Sequence, residues 1–345
     1  MAIVDLRSDT VTLPSPEMRQ AMYMAELGDD VFGEDPTVNR LEELAAELMG
    51  KEAALFVVSG TMGNLVSLLT HCRRGDEAIL GNLSHTFNYE LGGAAALGGI
   101  QFMVLPNERN GMLKPAEVGA GIRSLEDIHY PRSRLVCLEN THSLCGGVVL
   151  SAVQTKSIAD IAHRHGLALH LDGARIFNAA VALGVDVKEL VEEADSVMFC
   201  LSKGLGAPVG SMVVGSAEFI QEARRMRKMV GGGMRQAGVI AAAGIFALET
   251  MTERLAEDHI NARALGDGIA EIPGLSIDLE TVQTNMVFFG LGREDMTQQD
   301  LVDALGERGV KILVLGGRLR AVTHYGIGAE DIQVVLGALR EVMAG

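Results

Sequence analysis

The sequence predicts an α/β protein: a mostly parallel central sheet with helices on both faces, followed by a smaller α+β C-terminal domain. Three observations carry that expectation. From about Lys51 onward, short continuous apolar runs alternate with segments of helical periodicity, the pattern of strands buried on both faces. Beyond about residue 250 the alternation gives way to closely spaced strands and helices. The 345 residues suffice for about two units of that kind. The expected boundary divides residues 1–250, an N-terminal segment with the large domain, from residues 251–345, the small domain.

In chain order, a helix over 37–49 opens at Asp35 with Pro36 in its first turn and closes at Gly50. Residues 53–58 (AALFVV) form a buried strand, and Ser59-Gly60-Thr61 turns the chain into a helix reaching about Arg73. A strand at 77–80, a Gly/Ala-rich helix near 89–98 and a strand at 100–105 follow. Strands at 134–139, 167–171, 196–201 and 209–214 continue the series, with a helix over 154–165 stopped by Gly166. Helices are expected at 216–230 and 236–262. The tail reads as strand 285–289, helix 298–308, strands 310–314 and 319–323, and a helix from about Ala329.

Composition excludes several classes of function. With 48% hydrophobic and 21% charged residues, the chain is neither disordered nor collagen-like. Twenty-nine Lys and Arg against 45 Asp and Glu leave a net charge of −16, which argues against nucleic acid or an anionic membrane as partner. The longest apolar stretch, Ala237 to Leu248, is too short to span a bilayer, and Asp5, Arg7 and Asp9 stand where a signal peptide would be apolar. Cys72, Cys137, Cys145 and Cys200 lack paired spacing, which suits reduced core thiols; a cytoplasmic protein is expected.

Ligands of open α/β sheets sit beyond the carboxyl ends of the strands. Strand 53–58 ends in Ser59-Gly60-Thr61-Met62-Gly63-Asn64, where small residues and a helix N-terminus offer a phosphate cradle. Alone, that is an ordinary tight turn. Strand 167–171 ends in Asp172-Gly173-Ala174-Arg175; a carboxylate there needs a cationic partner, either Arg175 or a protonated ring nitrogen. Strand 196–201 ends in Ser202-Lys203-Gly204, where desolvation would favour a nucleophilic amine. Alone, such a lysine is an exposed loop residue. Together, cradle, acid and amine fit pyridoxal phosphate. His85 and His129 are candidates for proton transfer, though each by itself reads as a loop or capping histidine. His163 and His165 read as compensation of a helix C-terminus. No H-E-x-x-H, paired C-x-x-C or G-x-S-x-G occurs, so zinc chemistry and a serine-hydrolase elbow lack support, and no metal is expected.

Nearly end to end, the chain resembles the low-specificity L-threonine aldolases, pyridoxal-phosphate enzymes of fold type I, the aspartate-aminotransferase fold. The resemblance rests on DLRSDTVT (5–12), GEDPTVN (33–39), SGTMGN (59–64), LENTH (138–142), LHLDGARIFNA (169–179), CLSKGLGAPVGS (200–211) and GGGMRQAG (231–238). It implies cleavage of L-threonine or L-allo-threonine to glycine and an aldehyde, with pyridoxal 5'-phosphate as cofactor. It further implies that Lys203 forms the internal aldimine, Asp172 pairs with the ring nitrogen and His85 stacks on the ring. Gly60, Thr61 and Met62 would hold the phosphate, with Arg235 reaching it from a neighbouring subunit of a homo-oligomer, a dimer of dimers. Ser8, Arg175 and Arg320 would bind the substrate carboxylate, and His129 its side-chain end. Which histidine acts as base stays open. Phe32 stands where many relatives have Tyr, and Ser143 where Asn is common. A pyridoxal-phosphate β-eliminating lyase and a non-catalytic relative are the alternatives.

Overall fold

The computed structural model describes residues 3–344. Its strands up to residue 215 run β1 (Val4–Asp5), β2 (Ala53–Val57), β3 (Asp76–Gly81), β4 (Gln101–Leu105), β5 (Arg132–Glu139), β6 (Ala168–Asp172), β7 (Ser196–Cys200) and β8 (Ser211–Gly215). Seven of them form the central sheet in the order β2-β8-β7-β6-β5-β3-β4. Strands β7, β6, β5, β3 and β4 pair in parallel, while β8 runs antiparallel to both β2 and β7. The sheet is thus mostly parallel with one reversed strand. Leu169, Leu171, Val197 and Phe199 are fully or almost fully buried, as parallel strands covered on both faces require.

Local chemistry fixes the flanking helices. Asp35 caps the helix Pro36–Met49 by accepting from the N–H groups of Thr37 and Val38 at 3.1 and 3.0 Å, an interaction worth about 1 kcal/mol. The helix Gly60–His71 follows β2 directly, and Ser59 caps it by accepting from Met62 N at 3.1 Å. It lies so close to the sheet that a Cβ on Gly63 would sit 2.5 Å from Met198 Cγ. That contact presses the first turn of the helix onto the carboxyl ends of β2 and β7.

The remaining strands are β9 (Leu275–Ile277), β10 (Met286–Leu291), β11 (Val310–Lys311), β12 (Leu313–Leu315) and β13 (Arg318–Val322). Four of them make an antiparallel sheet in the order β12-β13-β10-β9, and β11 pairs in parallel with β1. Val4 and Leu6, grouped with the large domain by the sequence, are buried in a second core with Leu265, Leu301, Leu319 and Leu339. Val4 and Leu6 therefore pack with the small unit.

Three elements differ from the sequence reading. The helix expected near 89–98 is a short turn of helix, His85–Asn88, then a five-residue π-helical stretch, Ala94–Gly98. Leu91 and Gly92, both at positive φ, interrupt it. The helix expected over 236–262 is broken into Gly238–Phe246, a π-helical stretch Ala247–Met251 and Leu255–Ala270. The strand expected at 310–314 divides at Ile312, because β11 serves β1 whereas β12 serves β13. The helix Pro16–Tyr23 and strand β9 were not foreseen.

Candidate active site

The carboxyl ends of β2, β5, β6 and β7 surround a cavity of about 210 Å³, whose lining includes Gly60, Thr61, His85, Asp172, Arg175 and Lys203. Larger clefts lie elsewhere. One of about 770 Å³, bordered by Lys51, His71, Asp195 and Phe219, opens at the amino ends of β6 and β7 and gathers no comparable set of groups. Residues that follow the ends of β2, β3, β5, β6 and β7 meet in the smaller cavity.

Asp172 is buried, and the bland reading of it as the partner of Arg175 does not hold. Its Oδ1 accepts from Ala174 N at 3.1 Å and its Oδ2 from Asn64 Nδ2 at 2.8 Å. Arg175 pairs instead with Asp9, through Nε at 2.6 Å and Nη2 at 2.5 Å. Burial alone would push the Asp9 carboxyl up, but Arg175 beside it and Lys203 nearby hold it well below the usual carboxylate range.

Arg320 approaches from β13. Its Nη2 donates to the Arg7 carbonyl at 2.8 Å, while its buried Nε has no partner among the described residues. Burial and the neighbouring Arg175 lower its pKa to about 10. Two guanidinium groups held together with an orphaned N–H make a site for an anion. Ser8 stands between Arg7 and Asp9, the residues that touch these two arginines.

His85 follows β3. Its backbone N–H donates to Glu139 Oε2 at 2.8 Å, and its Nδ1 lies 3.0 Å from Glu90 Oε1. A carboxylate accepts, so Nδ1 carries the proton and Nε2 keeps a free lone pair. Burial disfavours the charged ring, but the Glu90 hydrogen bond and the charges of Asp172 and Glu90 outweigh it and raise the His85 pKa. His85, Glu90 and Asp172 lie close enough for a shared metal ion. The Asn64 amide already bridges the two carboxylates, at 2.8 Å to each, so hydrogen-bond donors fill the place a cation would take.

Other candidates fall outside. Met62 spends its N–H on Ser59, and its side chain packs against the cluster of Val66, Met198 and Ile220. Arg235 is exposed, pairs with Asp29 at 2.9 Å and lies over the Phe32 ring at 5.9 Å. His129 is exposed and bonds to Asp127 at 2.9 Å. It precedes β5, whereas Glu139 at the far end of β5 lines the cavity, about 26 Å away for eight extended residues. The chain's own cavity therefore excludes His129, contrary to expectation.

Glu90, Glu139, Asn64 and Asp9 were not singled out as site residues. Asn64 and Asp9 stand inside the strings SGTMGN and DLRSDTVT, which was the one available signal.

A pyridoxal-phosphate molecule needs an amine, an anion opposite a ring nitrogen, and donors for a phosphate. Lys203 and Asp172 supply the first two. In the first turn of the helix Gly60–His71, Ser59 satisfies the N–H groups of Met62 and Gly63. Those of Gly60 and Thr61 stay unpaired among the described residues, at the cavity wall and the positive end of the helix dipole. The residues fit the group.

Residues 5–291 match the family described as beta-eliminating lyase. The chain is 48% identical to low-specificity L-threonine aldolase 1 of Arabidopsis thaliana, over 99% of this chain and 97% of that protein. It is 46% identical to the low specificity L-threonine aldolase of Escherichia coli K12, over 99% and 100%. Among solved structures, a threonine aldolase of Leishmania major superposes with a TM-score of 0.83 at 19% identity, covering 99% of each chain.

Proposed function

The chain belongs to the beta-eliminating lyase family, and from that membership and the cavity we propose that it is a pyridoxal-phosphate-dependent carbon–carbon lyase of fold type I. It cleaves L-threonine, L-allo-threonine and related β-hydroxy-α-amino acids to glycine and an aldehyde. The observation that carries this reading is the convergence of Lys203, Asp172 and Arg175 on one cavity, with Arg320, whose Nε is unpartnered among the described residues, near enough to Arg175 to feel its charge. Purified holoenzyme given either threonine diastereomer should release glycine and acetaldehyde in equal amounts. Ammonia with a keto acid would instead mark β-elimination.

When bound, the cofactor supplies an electron-accepting ring for the pair released as the Cα–Cβ bond breaks. Lys203, the one lysine lining the cavity, would hold it covalently through its amine. Gly60 and Thr61 would bind its phosphate through backbone N–H groups, and Asp172 would hold a proton on its ring nitrogen. Arg320 and Arg175, with Ser8, grip the substrate carboxylate and so select which bond at Cα breaks. Arg175 keeps one guanidinium edge for this because Asp9 occupies the other. His85 Nε2 takes the β-hydroxyl proton, and Glu90 holds the ring in the tautomer that permits it.

That assignment fixes a pH dependence. His85 works as a base only when neutral, and its pKa is raised, so kcat/KM should fall as pH drops through a midpoint above the ordinary histidine value. In Glu90→Gln the negative charge is gone and only a neutral amide oxygen is left to accept, so the His85 pKa falls and the acidic limb should move to lower pH. Steady-state profiles of both proteins test this. An acidic limb that stays in place would remove His85 as its source.

Leu13, Tyr23, Met24 and Phe32 are exposed apolar residues on the N-terminal segment, and Arg235 stands over Phe32. We infer a homo-oligomer, a dimer of dimers, in which Arg235 of one subunit reaches the phosphate bound by its neighbour; His129 enters a site only from a second copy. Mixing inactive Lys203→Ala chains with inactive Arg235→Ala chains should restore activity, since one hybrid site then has both groups. No recovery after subunit exchange would confine each site to one chain. All four cysteines are buried and free, which favours a reducing compartment, and we place the enzyme in the cytoplasm. No helix among the described residues is long and apolar enough to cross a membrane.

A further inference from the structure

Between the helix Gly60–His71 and the sheet, where packing alone would favour apolar side chains, runs a row of polar ones. Asn64 and His71 are seven residues apart and share a helix face. His170 and Asp172 are two apart on β6 and share a sheet face. Ser196 is the neighbour of His170 on β7. Together they link the cavity to the cleft at the other end of the strands, where His71 stacks on Phe219.

We propose that this chain, His71–Ser196–His170–Asn64–Asp172, has a single donor direction and that His170 and Ser196 are positioning residues for the cofactor. The proposal rests on the cofactor reading above.

The direction follows link by link. Asn64 Nδ2 lies 2.8 Å from both Glu90 and Asp172, so the amide oxygen faces His170 Nε2 at 3.1 Å. That oxygen accepts, so His170 Nε2 carries a proton. A neutral imidazole has one N–H, so His170 Nδ1 must accept from Ser196 Oγ at 2.8 Å. With its only proton spent there, Ser196 accepts from His71 Nε2 at 2.7 Å. Burial keeps both rings neutral, lowering His71 to about 4 and, with His71 adding to the effect, His170 to about 3.

The reverse direction would turn the Asn64 oxygen toward two carboxylates. Each hydrogen bond thus points at Asp172 and sets a donor against its carboxylate, fixing that group opposite the place of a protonated ring nitrogen. The amide of Asn64 does not relay protons, so the chain transmits orientation and polarisation.

Two substitutions separate this role from packing. In His170→Gln the side-chain amide nitrogen replaces Nε2 and still donates to Asn64. In His170→Asn the shorter amide reaches only toward Ser196. Equilibrium dialysis of pyridoxal phosphate against apoprotein should show the Gln variant within about threefold of the unsubstituted protein. The Asn variant should bind about tenfold more weakly, the worth of one hydrogen bond. Equal affinity in all three proteins would overturn the proposal, as would equal weakening of both variants.

Neutron diffraction of the unsubstituted protein gives a second test that survives a variant's failure to fold. Deuterium is expected on Nε2 of His170 and on Nε2 of His71; deuterium on Nδ1 of His170 overturns the proposal. Should the unsubstituted protein bind no pyridoxal phosphate, the cofactor reading falls, and with it the role of His170 and Ser196.

Discussion

Lys203→Ala should fold normally and lose turnover by about 10⁴-fold or more, on the scale of removing a group that acts covalently. The Lys203 amine makes no hydrogen bond or ion pair among the described residues, so alanine removes it without orphaning a buried partner. No other lysine lines the cavity to take over. Borohydride should then trap no lysine adduct in the variant, while the melting temperature stays close to that of the unsubstituted protein. A variant that retains both the trapped adduct and its turnover would take the covalent role away from Lys203.

The second large effect belongs to Asp172→Asn. Asparagine keeps the volume but removes the charge that holds a proton on the ring nitrogen. It also creates a local conflict, because Ala174 N and Asn64 Nδ2 both donate to the existing carboxylate. One of the two would meet a second N–H group. The expected result is a protein that still carries cofactor, seen by its visible absorbance, with kcat for L-threonine lowered by about 10²–10³-fold, the usual worth of a preorganised electrostatic contact. Turnover near the unsubstituted level would show that another group holds the ring proton.

Much of the architecture was legible because it depends on neighbours in sequence. The runs AALFVV and SVMFCL are apolar on both faces, and such runs have no alternative to a buried strand. Their ends, with that of the run 167–171, pointed to Gly60, Thr61, Asp172 and Lys203, which the fold brings to one cavity. The reading failed where local signals compete. Around residues 89–98 the alanines favour helix, but Leu91 and Gly92 take backbone angles that stop one.

Within the site, the hidden residues are those whose meaning comes from a distant partner. Asn64 matters because of Asp172, 108 positions on, and Asp9 because of Arg175, 166 positions on. Nothing in the residues around Asn64 or Asp9 announces those pairings. Arg175, three positions after Asp172, was one of two partners the sequence offered for that acid, and it pairs with Asp9 instead. The nearer acid in sequence was the more obvious partner, but the end of β6 aims it elsewhere.

The bond between Arg320 and the Arg7 carbonyl joins positions 313 apart, across a chain whose first strand has already crossed to the small unit. Closing a loop of that length costs conformational entropy that no contact inside it repays until both cores are packed. The carboxylate grip is accordingly a property of the assembled molecule and of neither half. If Arg320 grips the substrate carboxylate as proposed, loosening either half should weaken substrate binding even where each hydrophobic core persists.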